Sequence, residues 1–417
     1  MRGDRSARSG DECKRAVRRE ADNAPMSAPR LHWTEGGQTR SAHWRSERGA
    51  APPARVVLAD DTMAADTAYR LACEGTALLW RGDFHQARHL LQAMARRADQ
   101  PPRRKQRAQR QRAAPPAVGD PAAFHLHRQA QAQRARMLAA VLIELDADYG
   151  VPLRRAPDMR AACIEAWGAP DPAGGPSVVS LRELQGVTSA HEWRRQGVPV
   201  PALHGPNRRI HPHYGVFSPL RGEYVQLVAD APLPPLSNGG LAFDIGTGSG
   251  VLAALLAQRG LARIVATDVD PRALACAREN LQRLGLADRV TVESADLFPA
   301  GRADLVVINP PWLPARPGAP IERSVYDEDG RMLAAALAGL AAHLRPGGEG
   351  WLILSDLAEH LGLRSRAALL AAIAQGGLQV RGRLDTRPQH AKASAAGDSL
   401  HAARAAEITS LWRLGAA

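Results

Sequence analysis

The chain has little of what organises secreted, metal-held or membrane-spanning proteins. Four cysteines occur in 417 residues, Cys13, Cys73, Cys163 and Cys276. They lie far apart, with no CxxC pair and no Cys/His ligand spacing. That excludes a disulfide framework and a structural zinc site. No stretch approaches the ~18 to 20 uninterrupted apolar residues of a membrane helix. The longest apolar runs, Met332 to Leu344 and Ala367 to Ala374, are short and Ala-rich. The first twenty residues carry charge throughout and have no apolar segment, so they do not read as a secretory signal. A cytoplasmic protein with no membrane partner is the expectation. Lysine is scarce too, found only at Lys14, Lys105 and Lys392, so arginine supplies nearly all the positive charge.

What is present fits a folded chain of two to three domains, at roughly 150 residues each. Apolar residues make up 45% and charged residues 23%, enough apolar material for a real core. The net charge of +12 admits a nucleic-acid partner, while the arginine, alanine, glycine and proline bias is also what a GC-rich genome imposes. The excess is uneven. Arg103 to Arg112 (RRKQRAQRQR) contains no acid and lies between two Pro-Pro pairs, as in a basic linker near 100–120.

Residues 1–55 are polar and aperiodic and read as a disordered leader. Residues 56–205 read as a smaller all-helical domain. Its helices are expected over Ala64 to Ala98 with a break at Gly82-Asp83, over Phe124 to Leu145, over Pro157 to Trp167 and over Leu181 to Arg195. Its apolar stripe reads as core. Residues 206–417 read differently. Apolar strands at 241–245, 263–268, 289–294, 303–309 and 350–355 alternate with helical stretches, and LQVRGRL and AEITSLWRL follow. That alternation predicts an α/β fold, a doubly wound Rossmann-like sheet of seven strands.

In an open parallel sheet, ligands bind beyond the carboxyl ends of the strands. The notable polar residues fall there. Strand one runs into Asp244-Ile245-Gly246-Thr247-Gly248-Ser249-Gly250, strand two ends at Asp268, Asp296 follows strand three, and strand four ends at Asn309-Pro310-Pro311-Trp312. The glycines permit positive φ and close approach of a ligand to the backbone. Asp244 either meets a ligand cation or braces the loop. Asp268 either receives ribose hydroxyls or caps the helix opening at Pro271, where Asp270 is better placed. Asp296 either accepts from an adenine amine or serves a turn. The spacing G-x-G-x-G departs from the dinucleotide pattern G-x-G-x-x-G, and no P-loop occurs. A phosphate-free adenosyl ligand fits better.

In NPPW, two prolines remove two backbone donors. The Asn309 side-chain carbonyl and the Pro310 backbone carbonyl remain as paired acceptors for the two hydrogens of a planar –NH2. Fixing those hydrogens aims a weakly nucleophilic nitrogen at an electrophile, a positioning effect of several kcal/mol. Trp312 offers a flat stacking surface. His211 and His213 read as structural.

Residues 215–415 resemble a class I S-adenosylmethionine-dependent methyltransferase, in detail the HemK-type protein-glutamine N5-methyltransferases and their amino-methylating relatives. The shared strings are GVFSPLRGEY (215–224), DIGTGSG (244–250), ATDVDPRAL (266–274), ADLF (295–298), DLVVINPPW (304–312) and LRPGGEGWL (344–352). The resemblance implies S-adenosyl-L-methionine as cofactor, held by Asp244, Gly246, Gly248, Asp268 and Asp296, with Asn309 and Pro310 holding the acceptor nitrogen and no metal. It also implies a macromolecular substrate, a translation factor or ribosomal protein. Where glutamine methyltransferases usually carry Tyr, this chain has Trp312. Relatives that modify adenine N6 in RNA or DNA tolerate Tyr, Phe or Trp, so that acceptor stays open, as does a non-catalytic binding module on the same scaffold.

Overall fold

A computed structural model describes residues 29–99, 119–171, 173–220, 222–388 and 400–417. Residues 1–28 of the expected leader and the basic run Arg103 to Arg112 lie outside the described residues.

The chain enters as a hairpin. Strand β1 (Arg30–Glu35) and strand β2 (Gln38–Trp44) pair antiparallel, with Glu35 opposite Gln38. Gly36 and Gly37 between them both take positive φ, the geometry a two-residue hairpin loop requires. Leu31, Trp33 and Ala42 point inward and are buried. Residues 30–44 are therefore ordered β structure, and the expectation of a disordered leader is corrected there. The alternation of Leu31 and Trp33 around a Gly-Gly turn is the signal that marks it.

The rest of this unit is a layered α/β structure, not the all-helical domain expected. In chain order it comprises β3 (Arg55–Ala59), α1 (Ala65–Cys73), β4 (Thr76–Trp80), α2 (Phe84–Asp99), α3 (Pro121–Leu138), β5 (Val141–Leu145), α4 (Arg160–Trp167), β6 (Ser177–Ser180) and α5 (Leu181–Gln196). The six strands form one sheet in the order β1-β2-β6-β5-β4-β3. All five residues of β4 are buried. Leu78 and Trp80 face one apolar cluster, with Phe84, Leu91 and Met94 of α2, while Ala77 and Leu79 face another, with Leu31, Trp33 and Leu142. A strand buried on both faces reads as an unbroken apolar run, which spacing alone does not separate from a buried helix. Hence β4 and β5 were absorbed into expected helices.

A short ribbon, β7 (Val198–Pro199) with β8 (Arg209–Ile210), and helix α6 (Glu223–Asp230) lead into the second unit. There the elements are β9 (Leu241–Ile245), α7 (Val251–Gln258), β10 (Arg263–Asp268), α8 (Pro271–Arg283), β11 (Val290–Ser294), β12 (Ala303–Ile308), α9 (Arg331–Leu340), β13 (Leu344–Ser355), α10 (Leu357–His360), α11 (Arg366–Gln375), β14 (Leu378–Thr386), α12 (His401–Ala406) and β15 (Thr409–Ala416). Their seven-stranded sheet has the order β11-β10-β9-β12-β13-β15-β14. Five neighbouring strands run parallel, and β15 is antiparallel to both β13 and β14. Apolar clusters cover both faces, one holding α7 and the other α9 and α11. This is the doubly wound architecture expected from the strand–helix alternation. Among the described residues, no helix is long and apolar enough to cross a membrane.

Candidate functional site

Strand register brings the sequence-marked residues to one edge. Ile245 pairs with Thr267 on one side and with Ile308 on the other, while Asp268 pairs with Ser294. The next residue along each strand therefore emerges at the same level, with Gly246 flanked by Asp268 and Asn309. Reversal of strand order between β10 and β12 around β9 makes this edge the crevice where helices on opposite faces diverge.

The glycine loop is tightly built. Gly246, Gly248 and Gly250 take φ of 70°, 55° and 81°, values a side chain would strain. A Cβ on Gly250 would lie 3.1 Å from the Ala277 backbone of α8, so this glycine also lets two helices close. Around Gly248 a Cβ would meet nothing within 4 Å. Asp244, 1% exposed, accepts from Thr247 Oγ1 at 2.7 Å and from the Ala253 amide at 3.1 Å. Of the two roles left open for it, loop bracing is the one its contacts perform. Burial raises its pKa to about 6, against the lowering effect of those two donors.

Asp268 accepts from the Gly248 amide at 3.0 Å and from the Asp270 amide at 3.0 Å. It therefore ties the glycine loop to the end of β10. The cap of α8 is Asp270, which accepts from the Arg272 amide at 2.8 Å. Asp296 is exposed, in a bend just past β11. Its neighbours hold it at the same edge: the Ala295 amide donates to the Asp268 carbonyl at 3.3 Å, and Thr267 Oγ1 donates to the Leu297 carbonyl at 2.6 Å.

At the end of β12, Asn309 is half-buried and Pro310 is buried. The Trp312 indole N–H donates to Asn309 Oδ1 at 3.0 Å, and the ring packs against both apolar clusters of the sheet. Stacking is thus not the whole setting of Trp312, because its N–H also orients the asparagine amide. An amide oxygen has two lone pairs, so one acceptor site on Oδ1 is left beyond this bond.

Residues 207–368 match the family model of the methyltransferase small domain. The chain is 41% identical over 119 residues to a release factor glutamine methyltransferase of Cereibacter sphaeroides, covering 25% of this chain and 43% of that protein. It is 33% identical over 210 residues to a ribosomal protein L11 methyltransferase of Geobacter metallireducens, covering 46% and 60%. A ribosomal protein L11 methyltransferase of Pelotomaculum thermopropionicum is 49% identical over 73 residues, covering 17% and 24%. The chain carries a class I S-adenosylmethionine-dependent methyltransferase domain. It spans less than two thirds of the length of these relatives.

Within the methyltransferase domain the donor set suits that cofactor. A loop of positive-φ glycines, an acid at the end of β10 and an exposed acid past β11 offer backbone room and acceptors of the kind an adenosyl group with two ribose hydroxyls can use.

Several residues around this edge carry no sequence signal. Asp327 accepts from the Met332 and Leu333 amides, both at 3.1 Å, and so caps α9. Met332 then reaches the glycine loop, its Cε 3.1 Å from where a Cβ on Gly246 would stand. Arg128, on α3 of the first unit, donates to Glu322 at 3.2 Å and to the Arg316 carbonyl at 2.7 Å. Its guanidinium lies 3.9 Å from the centre of the Tyr326 ring. The segment between NPPW and α9 is thereby clamped by a helix from the other unit. His211 and His213, expected as structural, sit in the joint between units: the His211 amide donates to Asn280 Oδ1 at 2.7 Å, and His213 Nε2 pairs with Glu279 at 2.7 Å.

Proposed function

We propose that this protein transfers a methyl group from S-adenosylmethionine to a planar amino nitrogen, the side-chain amide of a glutamine in a protein of the translation apparatus. The observation that carries the reading is the placement of Asn309 beside Gly246 at the sheet edge, with its amide oriented by Trp312. The cofactor supplies a methyl group already activated on a sulfonium.

The chain's own residues then have five tasks. Gly246 and Gly248 let the backbone approach the cofactor, and Asp268 receives its ribose hydroxyls. Asp296, beside Asp268 at the edge, accepts from the adenine amine. Asp244 keeps the glycine loop in shape from below. Asn309 Oδ1 and the Pro310 carbonyl accept the two hydrogens of the substrate –NH2, which turns the nitrogen lone pair toward the methyl carbon. No strong base is required for attack: the new C–N bond forms as the methyl carbon–sulfur bond breaks, the nitrogen becomes acidic only then, and its proton passes to solvent. The names of the curated relatives, release factor and ribosomal protein methyltransferases, support a polypeptide acceptor.

Asn309→Ala tests the assignment. It is expected to lower turnover at least about 100-fold, the scale of a lost positioning contact. Affinity for S-adenosylmethionine, measured by calorimetry, should stay within about two-fold of wild type. Unchanged turnover would remove Asn309 from the reaction.

A second reading, adenine N6 in RNA or DNA as acceptor, is favoured by the net charge of +12. It requires substrate affinity to fall steeply with added salt as counterions are released. Digesting labelled product separately with protease and with nuclease separates the two acceptors.

A further inference from the structure

Between the two sheets lies a cavity of about 480 Å³. The first unit contributes Trp44 to Arg48 and the face of α5 that carries Arg182, Glu183 and Trp193. The methyltransferase domain contributes the segment leading into α6 and, through Ile321, the stretch that follows NPPW. Its location ties it to the reaction edge. Gly215, in the wall, lies against Arg272, where a Cβ would come within 3.1 Å of the guanidinium. Arg272 follows Asp268 by four residues and pairs with Glu47, another wall residue, at 3.4 Å.

The cavity's polar groups are not balanced. Arg182 Nη1 is buried and has no hydrogen-bond partner, and the same is true of Ser218 Oγ. Burial, then the nearby charges of Arg48 and Arg134, push the Arg182 pKa below its ordinary value, yet a guanidinium stays protonated. Glu183, the nearest acid in sequence, accepts from the Glu47 amide at 3.0 Å. A buried N–H without an acceptor on this half-buried guanidinium is costly. An incoming anion would satisfy both Arg182 and Ser218.

The remaining wall is largely apolar or small, and Trp193, Leu220 and Ile321 stand exposed around it at 43%, 60% and 45%. We infer that this cavity seats an acidic segment of the polypeptide substrate, one carboxylate pairing with Arg182 and Ser218 while apolar side chains cover Trp193 and Ile321. The inference rests on the protein-methyltransferase reading for its direction. A nucleic acid is a poorer occupant. It brings a charge with every nucleotide, and much of the wall, with Trp44, Trp193, Val216 and Ile321, is apolar.

Calorimetry on the full chain tests this with three probes: a capped decapeptide holding one Glu among Ala, Leu and Gln, its counterpart with Gln in place of Glu, and a short RNA of the same length. Wild type should bind the Glu peptide about ten-fold more tightly than the Gln peptide, the value of one charge-assisted hydrogen bond. Arg182→Met should bind both alike and keep wild-type affinity for S-adenosylmethionine. Its ligand-free melting temperature should rise by about 2 °C, since a buried N–H without an acceptor is removed. Equal binding of the two peptides by wild type, an undiminished preference in the variant, a fall in its melting temperature, or tighter binding of the RNA would each overturn the inference. Failure of the methyltransferase reading would instead appear as wild type that does not bind S-adenosylmethionine, with the peptide preference intact.

Discussion

The Asp244 carboxylate holds the glycine loop from beneath while buried on every side, and these two facts pull its ionisation in opposite directions. Burial dominates and lifts its pKa to about 6. In the unfolded chain it ionises near 4, so between those values the folded protein binds more protons than the unfolded one. Stability must then fall as pH rises through that window. Asp244→Asn keeps an acceptor for Thr247 and Ala253 but cannot ionise. Relative to the variant, wild type should lose about 2 to 3 kcal/mol between pH 4 and pH 6.5, read from urea unfolding at several pH values. A difference independent of pH would mean that the carboxylate is not desolvated. The neighbouring Asp268 adds to the upward push, so the acid expected to meet ribose and the acid beneath the loop sense one another.

At the scale of elements, the second sheet was readable because each strand is a short apolar run ending in punctuation: Asp268 before Pro271, Asn309 before two prolines, the glycines after Ile245. Polar residues that close apolar strands mark where the chain leaves the core, so their gathering at one edge of a parallel sheet was legible from the strand pattern. The first sheet was hidden for the opposite reason. Thr76–Trp80 and Val141–Leu145 are buried on both faces and abut true helices, so no period-2 alternation marks them. The clamp by α3 was equally invisible, since Arg128 meets Glu322 across 194 positions and both are ordinary surface residue types. That helix binds the units at both ends. Phe124 packs with Leu313, Ala358 and Leu361 of the methyltransferase domain, and Met137 and Leu138 pack under the first sheet. Arg128→Met should loosen the segment it holds. The Leu313 and Asp327 amides, bonded to the Val325 and Leu313 carbonyls, should exchange with deuterium about ten-fold faster. Exchange in β9 and β12 should not change, and equal protection of Leu313 and Asp327 in the variant would show that Arg128 is not the clamp.

For the whole molecule, Glu279 on α8 joins the two units. It accepts from Arg194 of α5 at 2.5 Å, from His213 at 2.7 Å and from Arg283 of its own helix at 2.7 Å. Burial pushes its pKa up, but Arg283, His213 and Arg194 together outweigh that and hold it at about 2. The folded pKa is thus below the unfolded one, near 4.5. This group stabilises the fold above pH 4.5, and the contribution disappears as pH falls toward 2. Burial lowers the His213 pKa, so at pH 7 it acts here as an N–H donor and not as a second cation. With about a quarter of the Glu279 side chain exposed, solvent screening reduces the linkage to about 1 to 2 kcal/mol. Glu279→Gln should therefore be less stable than wild type by that amount at pH 7, and the two should converge between pH 4.5 and pH 2.5. Because Arg194 belongs to the first unit and Glu279 to the second, the loss should fall on the coupling of the units. The variant's thermal transition is expected to broaden or split where wild type melts once. A variant that melts in one sharp step, with the wild-type pH profile, would place the coupling in the α3 packing and not in this ion cluster.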